Sequence, residues 1–131
     1  MNITAKLNDY RQSPRKVRLV AGLIRGKKAE QALDILTVTV KRAADPMVGL
    51  LKSAIANAKN NFSLNVEDLV VKSLTVDNGA ILYRRMPKAR GMATPIRKRV
   101  SLITMVLEAR EPEVKAKVIK APKVSKKKVI K

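Results

Sequence analysis

The densest group of side chains able to do chemistry lies between residues 84 and 99. This segment contains seven Arg or Lys residues and no acidic residue. Guanidinium and ammonium groups bind phosphate through charge and through donated hydrogen bonds. The segment has too few apolar side chains to form a core, and its cations repel one another until an anion neutralises them. We therefore predict a polyanion-binding arm that is ordered by phosphates packed around it; a disordered surface loop is the alternative for the free protein.

A second group of cations lies on a predicted helix near the start of the chain. Arg15, Arg18 and Arg25 fall on one stripe of that helix, and Gly22 between them would allow a close approach. A solvated helix face is the alternative interpretation, but the charge of the whole chain favours contact with phosphate. Together with the arm, the cations predicted to bind the polyanion are Arg11, Arg15, Lys16, Arg18, Arg25, Lys27, Lys28, Lys59, Arg84, Arg85, Lys88, Arg90, Arg97, Lys98 and Arg99.

The overall composition indicates the same kind of partner. The 131-residue chain carries a formal net charge of +19 and contains no His, no Cys and no Trp. These absences exclude disulfide scaffolds, thiolate and imidazole metal sites, Cys nucleophiles and Ser-His-Asp catalysis. Only three residues are aromatic, whereas proteins that read single strands use aromatic platforms for stacking. Phosphate and shape contacts with folded RNA are therefore predicted.

Apolar periodicity predicts three helices and an antiparallel sheet that position these cations. Ser13-Pro14 is typical of a helix start and Gly26 of a helix stop. Between them, apolar residues recur at helical spacing from Val17 to Ile24. The predicted helices cover residues 14–26, 29–36 and 41–60, and the predicted strands cover residues 3–7, 69–76, 80–83 and 100–107.

Two glycines mark predicted turns. Asp77-Asn78-Gly79 is a strong hairpin-turn signal, and Gly91 lies midway between Pro87 and Pro95 in the basic arm. We predict that the arm is a long hairpin that turns near Gly91 and leaves the body like a finger. The predicted fold class is α+β, with a small body of three helices packed on an antiparallel sheet and a long protruding β-hairpin.

Charge and composition divide the chain into a domain and a tail. Residues 1–110 are predicted to form a single globular α+β domain that includes the extended hairpin at about residues 79–103. Residues 111–131 contain eight lysines against two glutamates, and we predict a basic, disordered extension; a membrane-surface helix is a weaker alternative. Because the chain shows no apolar run of about 18 residues and no secretory signal, we predict a cytoplasmic protein without membrane contact.

Duplex DNA binding is a weaker alternative. Two short helices around Gly26 suggest a helix-turn-helix. The second of these helices would be the recognition helix. It carries Glu30, Gln31 and Asp34, which are poorly suited to contact the groove of a polyanionic duplex.

An enzymatic function is weaker still. The nearest carboxylate pairs are Glu30/Asp34, at helical spacing, and Glu67/Asp68, before a strand. Helix-surface charge and a turn explain them, and a metal-dependent nuclease needs several convergent carboxylates. The chain is therefore predicted not to be an enzyme, with no catalytic residue, no metal and no cofactor.

Three separated motifs resemble a known family. Residues 13–26 read SPRKVRLVAGLIRG, residues 52–61 read KSAIANAKNN, and residues 84–99 read RRMPKARGMATPIRKR. In this order they closely resemble the bacterial form of the large-subunit ribosomal protein family numbered twenty-two. The resemblance covers about residues 3–107 and leaves the tail outside it.

The resemblance implies a structural role in the large ribosomal subunit. It implies a body beside the exit of the nascent-peptide tunnel, and a hairpin that threads through 23S rRNA and helps form the tunnel wall. It also implies binding to several domains of that RNA during early assembly. The implied partners are 23S rRNA, neighbouring large-subunit ribosomal proteins and the nascent peptide, without homo-oligomer formation. The tunnel-lining tip corresponds to Met86, Pro87, Lys88, Ala89, Arg90, Gly91, Met92 and Ala93.

At two positions the chain departs from the family pattern. Met92 stands where family members usually carry a basic residue, so one phosphate contact at the tip is expected to be absent. Leu102 stands where a His is common, which removes a conventional contact near the base of the hairpin. The resemblance also implies that changes at the tip alter macrolide resistance.

Overall fold

The structure is a computed structural model that describes residues 2–109. The helices are α1 (Pro14–Ile24), α2 (Ala29–Val38) and α3 (Ala44–Phe62). The strands are β1 (Asn2–Tyr10), β2 (Leu69–Asn78), β3 (Leu82–Pro87), β4 (Ala93–Lys98) and β5 (Ser101–Ala109), with short 3₁₀ turns at Val66–Asp68 and Ala89–Gly91. The tail predicted for residues 111–131 lies outside the described residues.

The body is a three-stranded antiparallel sheet with helices packed against one face. The strand order is β1-β5-β2, so β5 pairs with both neighbours. Successive side chains of a strand point to opposite faces, and Ile103, Met105 and Leu107 of β5 are fully buried beneath the helices. The predicted α+β class, with three helices on an antiparallel sheet, is confirmed.

Helix α1 has the predicted buried face, but it ends at Ile24, two residues before the predicted stop at Gly26. Val17 and Ile24 are fully buried, and Gly26 adopts a positive φ of 75° just after the helix. That conformation favours glycine, and it directs the Gly26 N–H to the Val71 carbonyl of β2 at 2.9 Å. The Ser13 side chain makes no capping hydrogen bond, although Ser13 occupies the N-cap position.

Helix α3 differs from its predicted bounds at both ends. It begins at Ala44 rather than residue 41, which places Pro46 in the first turn, where a missing N–H is tolerated. It continues through Asn60 and Asn61 to Phe62, and Ser63 then takes a left-handed φ of 52°. Met47, Leu50, Leu51, Ala54 and Ala58 are buried, whereas Ile55 is only partly buried against the core.

The predicted hairpin turn at Asp77-Asn78-Gly79 is wrong. Asp77 and Asn78 remain paired with β5, and the Gly79 N–H donates to the Val100 carbonyl at 2.9 Å. Gly79 packs closely against Val100: a Cβ at position 79 would lie 3.1 Å from Cγ1 of Val100, which would have to shift by a few tenths of an ångström. The chain therefore runs on from β2 into β3, which begins at Leu82 rather than residue 80.

The basic arm is a two-stranded antiparallel hairpin of β3 and β4. Every residue of β3 is exposed. The turn lies near Gly91 as predicted: the Lys88 N–H donates to the Met92 carbonyl at 2.7 Å. Arg90 and Gly91 both adopt positive φ, of 59° and 72°, so Arg90 holds a left-handed conformation that is uncommon for a residue other than glycine.

Candidate nucleic-acid interface

The strongest concentration of charge lies in a cleft where the hairpin joins the body. The cleft has a volume of about 910 Å³. Of the described residues that line it, seven are cations and none is acidic. The cations come from both sides of the cleft and are Arg11, Lys16, Arg42, Arg84, Arg97, Lys98 and Arg99.

Hydrogen bonds fix the body side of this cleft. The Ser101 hydroxyl at the start of β5 donates to the Gln12 carbonyl at 2.6 Å, which holds the β1–α1 connection in place. The Tyr10 hydroxyl donates to the Arg42 carbonyl at 3.0 Å. Burial raises the pKa of Tyr10; the Arg42 charge opposes this rise and the Asp45 charge adds to it. The hydroxyl therefore remains a donor at neutral pH, and Arg11 and Arg42 project from anchored backbone.

Among residues 2–109, no acidic side chain lines the cleft. Within residues 2–109, the one salt bridge joins Lys72 to Glu108 at 2.8 Å, at the end of the sheet far from the hairpin. A cleft lined by charge of one sign focuses the electrostatic potential and attracts ions of the opposite sign. The arrangement is therefore suited to a polyanion.

The hairpin carries cations on both of its faces. Residues directly opposite in the register share a face, so Leu82, Arg84 and Met86 lie with Lys98, Ile96 and Thr94. The opposite face, which we call the tyrosine face, consists of Tyr83, Arg85, Pro87, Ala93, Pro95 and Arg97. Each face thus presents two cations, so a polyanion on one side alone would leave the other pair without a counter-charge.

The structure brings together only some of the predicted site residues. Arg11, Lys16, Arg84, Arg97, Lys98 and Arg99 line the cleft. Lys88 and Arg90 lie at the hairpin tip, and Lys59 borders a separate pocket of about 380 Å³ beyond the end of α3. Sequence reasoning missed Arg42, which it assigned to the first turn of a helix. No spacing in the sequence identifies Arg42, because its place in the cleft depends on the distant contact between the Tyr10 hydroxyl and the Arg42 carbonyl.

Two predicted site residues also donate hydrogen bonds to backbone carbonyls at the edge of the sheet, which we call edge sealing. Arg18 donates from Nε at 3.0 Å and from Nη2 at 2.7 Å to the Val76 carbonyl. Arg25 donates from Nη2 to the Leu74 carbonyl at 2.7 Å. These carbonyls belong to the outer edge of β2, which would otherwise be open to another strand. Since a guanidinium has five N–H donors, both side chains keep donors for an anion.

We expect Arg18→Ala and Arg25→Ala each to lower the free energy of unfolding by about 1 kcal/mol, because an edge carbonyl loses a charged donor that is partly in water. Arg15→Ala removes the same charge from α1, where Arg18 also lies, without a hydrogen bond to β2, and is the matched control. Urea unfolding of the three variants measures the difference. An equal loss in all three would contradict the edge-sealing role.

No group of three His, Cys, Asp or Glu residues within residues 2–109 could hold a metal ion. In the same part of the chain, no helix is long and apolar enough to cross a membrane.

Comparison with known proteins agrees with the three sequence motifs. The family model of ribosomal protein L22p/L17e matches residues 5–108. The large ribosomal subunit protein uL22 of Herpetosiphon aurantiacus is 47% identical over 108 residues, which cover 82% of this chain and 96% of the relative. The protein of the same name from Buchnera aphidicola subsp. Cinara cedri is 47% identical over 107 residues, covering 82% of this chain and 86% of the relative. The resemblance carried by the motifs is confirmed, and the chain belongs to the ribosomal protein L22p/L17e family.

Proposed function

We propose that this protein is a structural component of the large ribosomal subunit in the cytoplasm, where it binds 23S rRNA through phosphate and shape contacts. The observation that carries the proposal is the cleft of seven cations without an acidic residue. Family membership supports the ribosomal location. Cation-rich clefts with few aromatic residues favour contact with the backbone of a nucleic acid over reading of bases.

The two-sided charge of the hairpin supports a threaded position. Arg84 and Lys98 lie on one face, and Arg85 and Arg97 lie on the other. Neutralising both pairs requires phosphates on both sides of the hairpin, as in a finger that passes between RNA helices. A protein that lay on the surface of an RNA would need cations on one side only.

The same geometry supports a role of the hairpin tip in the wall of the exit tunnel. Six residues of β3 span about 20 Å at the usual rise of a strand, which carries the tip, residues 86–93, away from the body. Met86 and Met92 at the tip are exposed residues, with 54% and 68% of their surface accessible. Apolar side chains at the end of an RNA-bound finger are suited to line a passage for a nascent peptide, with the body near the tunnel exit.

The cleft cations are expected to act as phosphate contacts. Arg99→Ala and Arg11→Ala, from the two sides of the cleft, should each lower the affinity for rRNA about fivefold at physiological salt and reduce the slope of log K against log salt by about 0.9 or less. Fluorescence anisotropy with two rRNA fragments of unrelated sequence, across a salt series, measures both quantities.

Lys52→Ala is the matched control, because Lys52 is an exposed cation of α3 that does not line the cleft. We expect this variant to bind as the native protein does. A loss confined to one of the two RNA sequences would contradict phosphate readout. Stronger competition by duplex DNA than by rRNA would favour the helix-turn-helix alternative.

A further inference from the structure

One exposed aromatic ring lies among the cations of the hairpin. Tyr83 is in β3, and 57% of the residue is exposed. Its cross-strand partner is Arg97, and the two side chains share the tyrosine face. Directly opposite residues of an antiparallel pair have Cβ atoms about 5 Å apart, so the two side chains are neighbours on this face.

The surroundings of this ring fit an anionic ligand that carries flat groups. Arg85 lies on the same face, one row closer to the tip, opposite Pro95. No acidic residue occurs between Asn78 and Glu108. Arg84, on the other face, donates from Nη1 to the Tyr83 carbonyl at 2.8 Å and leaves the ring uncovered. Among the described residues, no hydrogen bond involves the Tyr83 hydroxyl.

We propose that Tyr83 is a stacking site for an unpaired nucleobase of RNA, with Arg97 and Arg85 binding the phosphates beside that nucleotide. The inference rests on the proposed function and adds a contact to bases that the phosphate contacts do not provide. An exposed ring next to two arginines is the arrangement by which proteins hold splayed-out bases. A base inside a continuous duplex has no accessible face, so this contact selects unpaired RNA.

A purely structural role for the ring makes a different prediction. Tyr83 could act only as a cross-strand partner of Arg97 that stabilises the hairpin. In that case, loss of the ring would weaken paired and unpaired RNA equally, because both would meet a less ordered hairpin. The comparison of the two RNA forms therefore separates stacking from hairpin stability.

The composition of the chain allows a direct optical test. The protein contains two tyrosines and no tryptophan, so Tyr83 is the sole tyrosine of the full-length Tyr10→Phe variant. Thermal melting followed by circular dichroism verifies that this variant is folded. We expect its tyrosine emission to be quenched by a single-stranded oligoadenylate over the concentration range in which the oligonucleotide binds, and to remain unchanged with a fully paired RNA of equal length. Binding of both RNAs is followed independently by a fluorescent label on the RNA.

A second measurement uses affinity in the native background. Tyr83→Leu should lower the affinity for the oligoadenylate about tenfold and change that for the paired RNA less than twofold, whereas Tyr83→Phe should bind as the native chain does. Quenching absent despite binding, or equal losses for both RNAs, would overturn the stacking site. Quenching by an unstructured peptide, without quenching by RNA, would also overturn it and assign the ring to a peptide. If neither the oligoadenylate nor the paired RNA bound in a salt-dependent way, the proposed function itself would be refuted.

Discussion

Replacement of residues 80–99 by Asn-Gly is expected to leave the body folded and to lower the affinity for rRNA at least about 100-fold at physiological salt. The body survives because no residue between 80 and 99 belongs to the buried core. Gly79 and Val100 already face each other across the pair β2–β5, and a two-residue Asn-Gly turn joins such positions without strain. The affinity falls because seven cations are removed together.

Thermal melting and salt-dependent anisotropy measure this result. The slope of log K against log salt should fall by up to about 6, which is the value expected if each lost cation meets one phosphate of a duplex. The control is a full-length chain in which the same seven cations are changed to Gln, since it keeps the hairpin and removes only charge. A body that unfolds without the hairpin, or an unchanged affinity, would contradict the separation of the two parts.

The second large effect is expected in the core. Ile103→Ala should lower the free energy of unfolding by about 3–4 kcal/mol, because it opens a cavity in a fully buried position of the central strand. Leu102→Ala, one residue earlier on the other face of β5, should lower it by about 1 kcal/mol or less, since that residue is only partly buried. Urea unfolding of the two variants measures the difference. Equal losses of unfolding free energy would contradict the assignment of the Ile103 face as the one that the helices cover.

The sequence predicted the elements whose signal is local. Apolar spacing identified the buried face of α1, and Gly26 and Gly91 marked turns where the chain adopts positive φ. The basic arm was recognisable because charge density within sixteen residues needs no knowledge of the fold. These features depend on neighbours along the chain, and the structure agrees with them.

The missed features depend on contacts between distant segments. Asp77-Asn78-Gly79 has the composition of a turn, yet pairing with β5 keeps this segment extended into β3. Arg18 and Arg25 donate to carbonyls 58 and 49 residues away, and no spacing in the sequence reveals that pairing. The same is true of Arg42, which reaches the cleft because Tyr10 binds its carbonyl.

The order of strands has a consequence for biosynthesis. The middle strand of the sheet, β5, is the last of the five along the chain, and Asn2 at the start of β1 pairs with Glu108 near its end. Within the sheet, both outer strands pair only with β5. The three-stranded sheet therefore cannot form until residue 109 has been synthesised and has left the ribosome. By then every cation of the hairpin has already been translated. The nascent chain therefore exposes all the hairpin cations to nearby polyanions before its sheet can form.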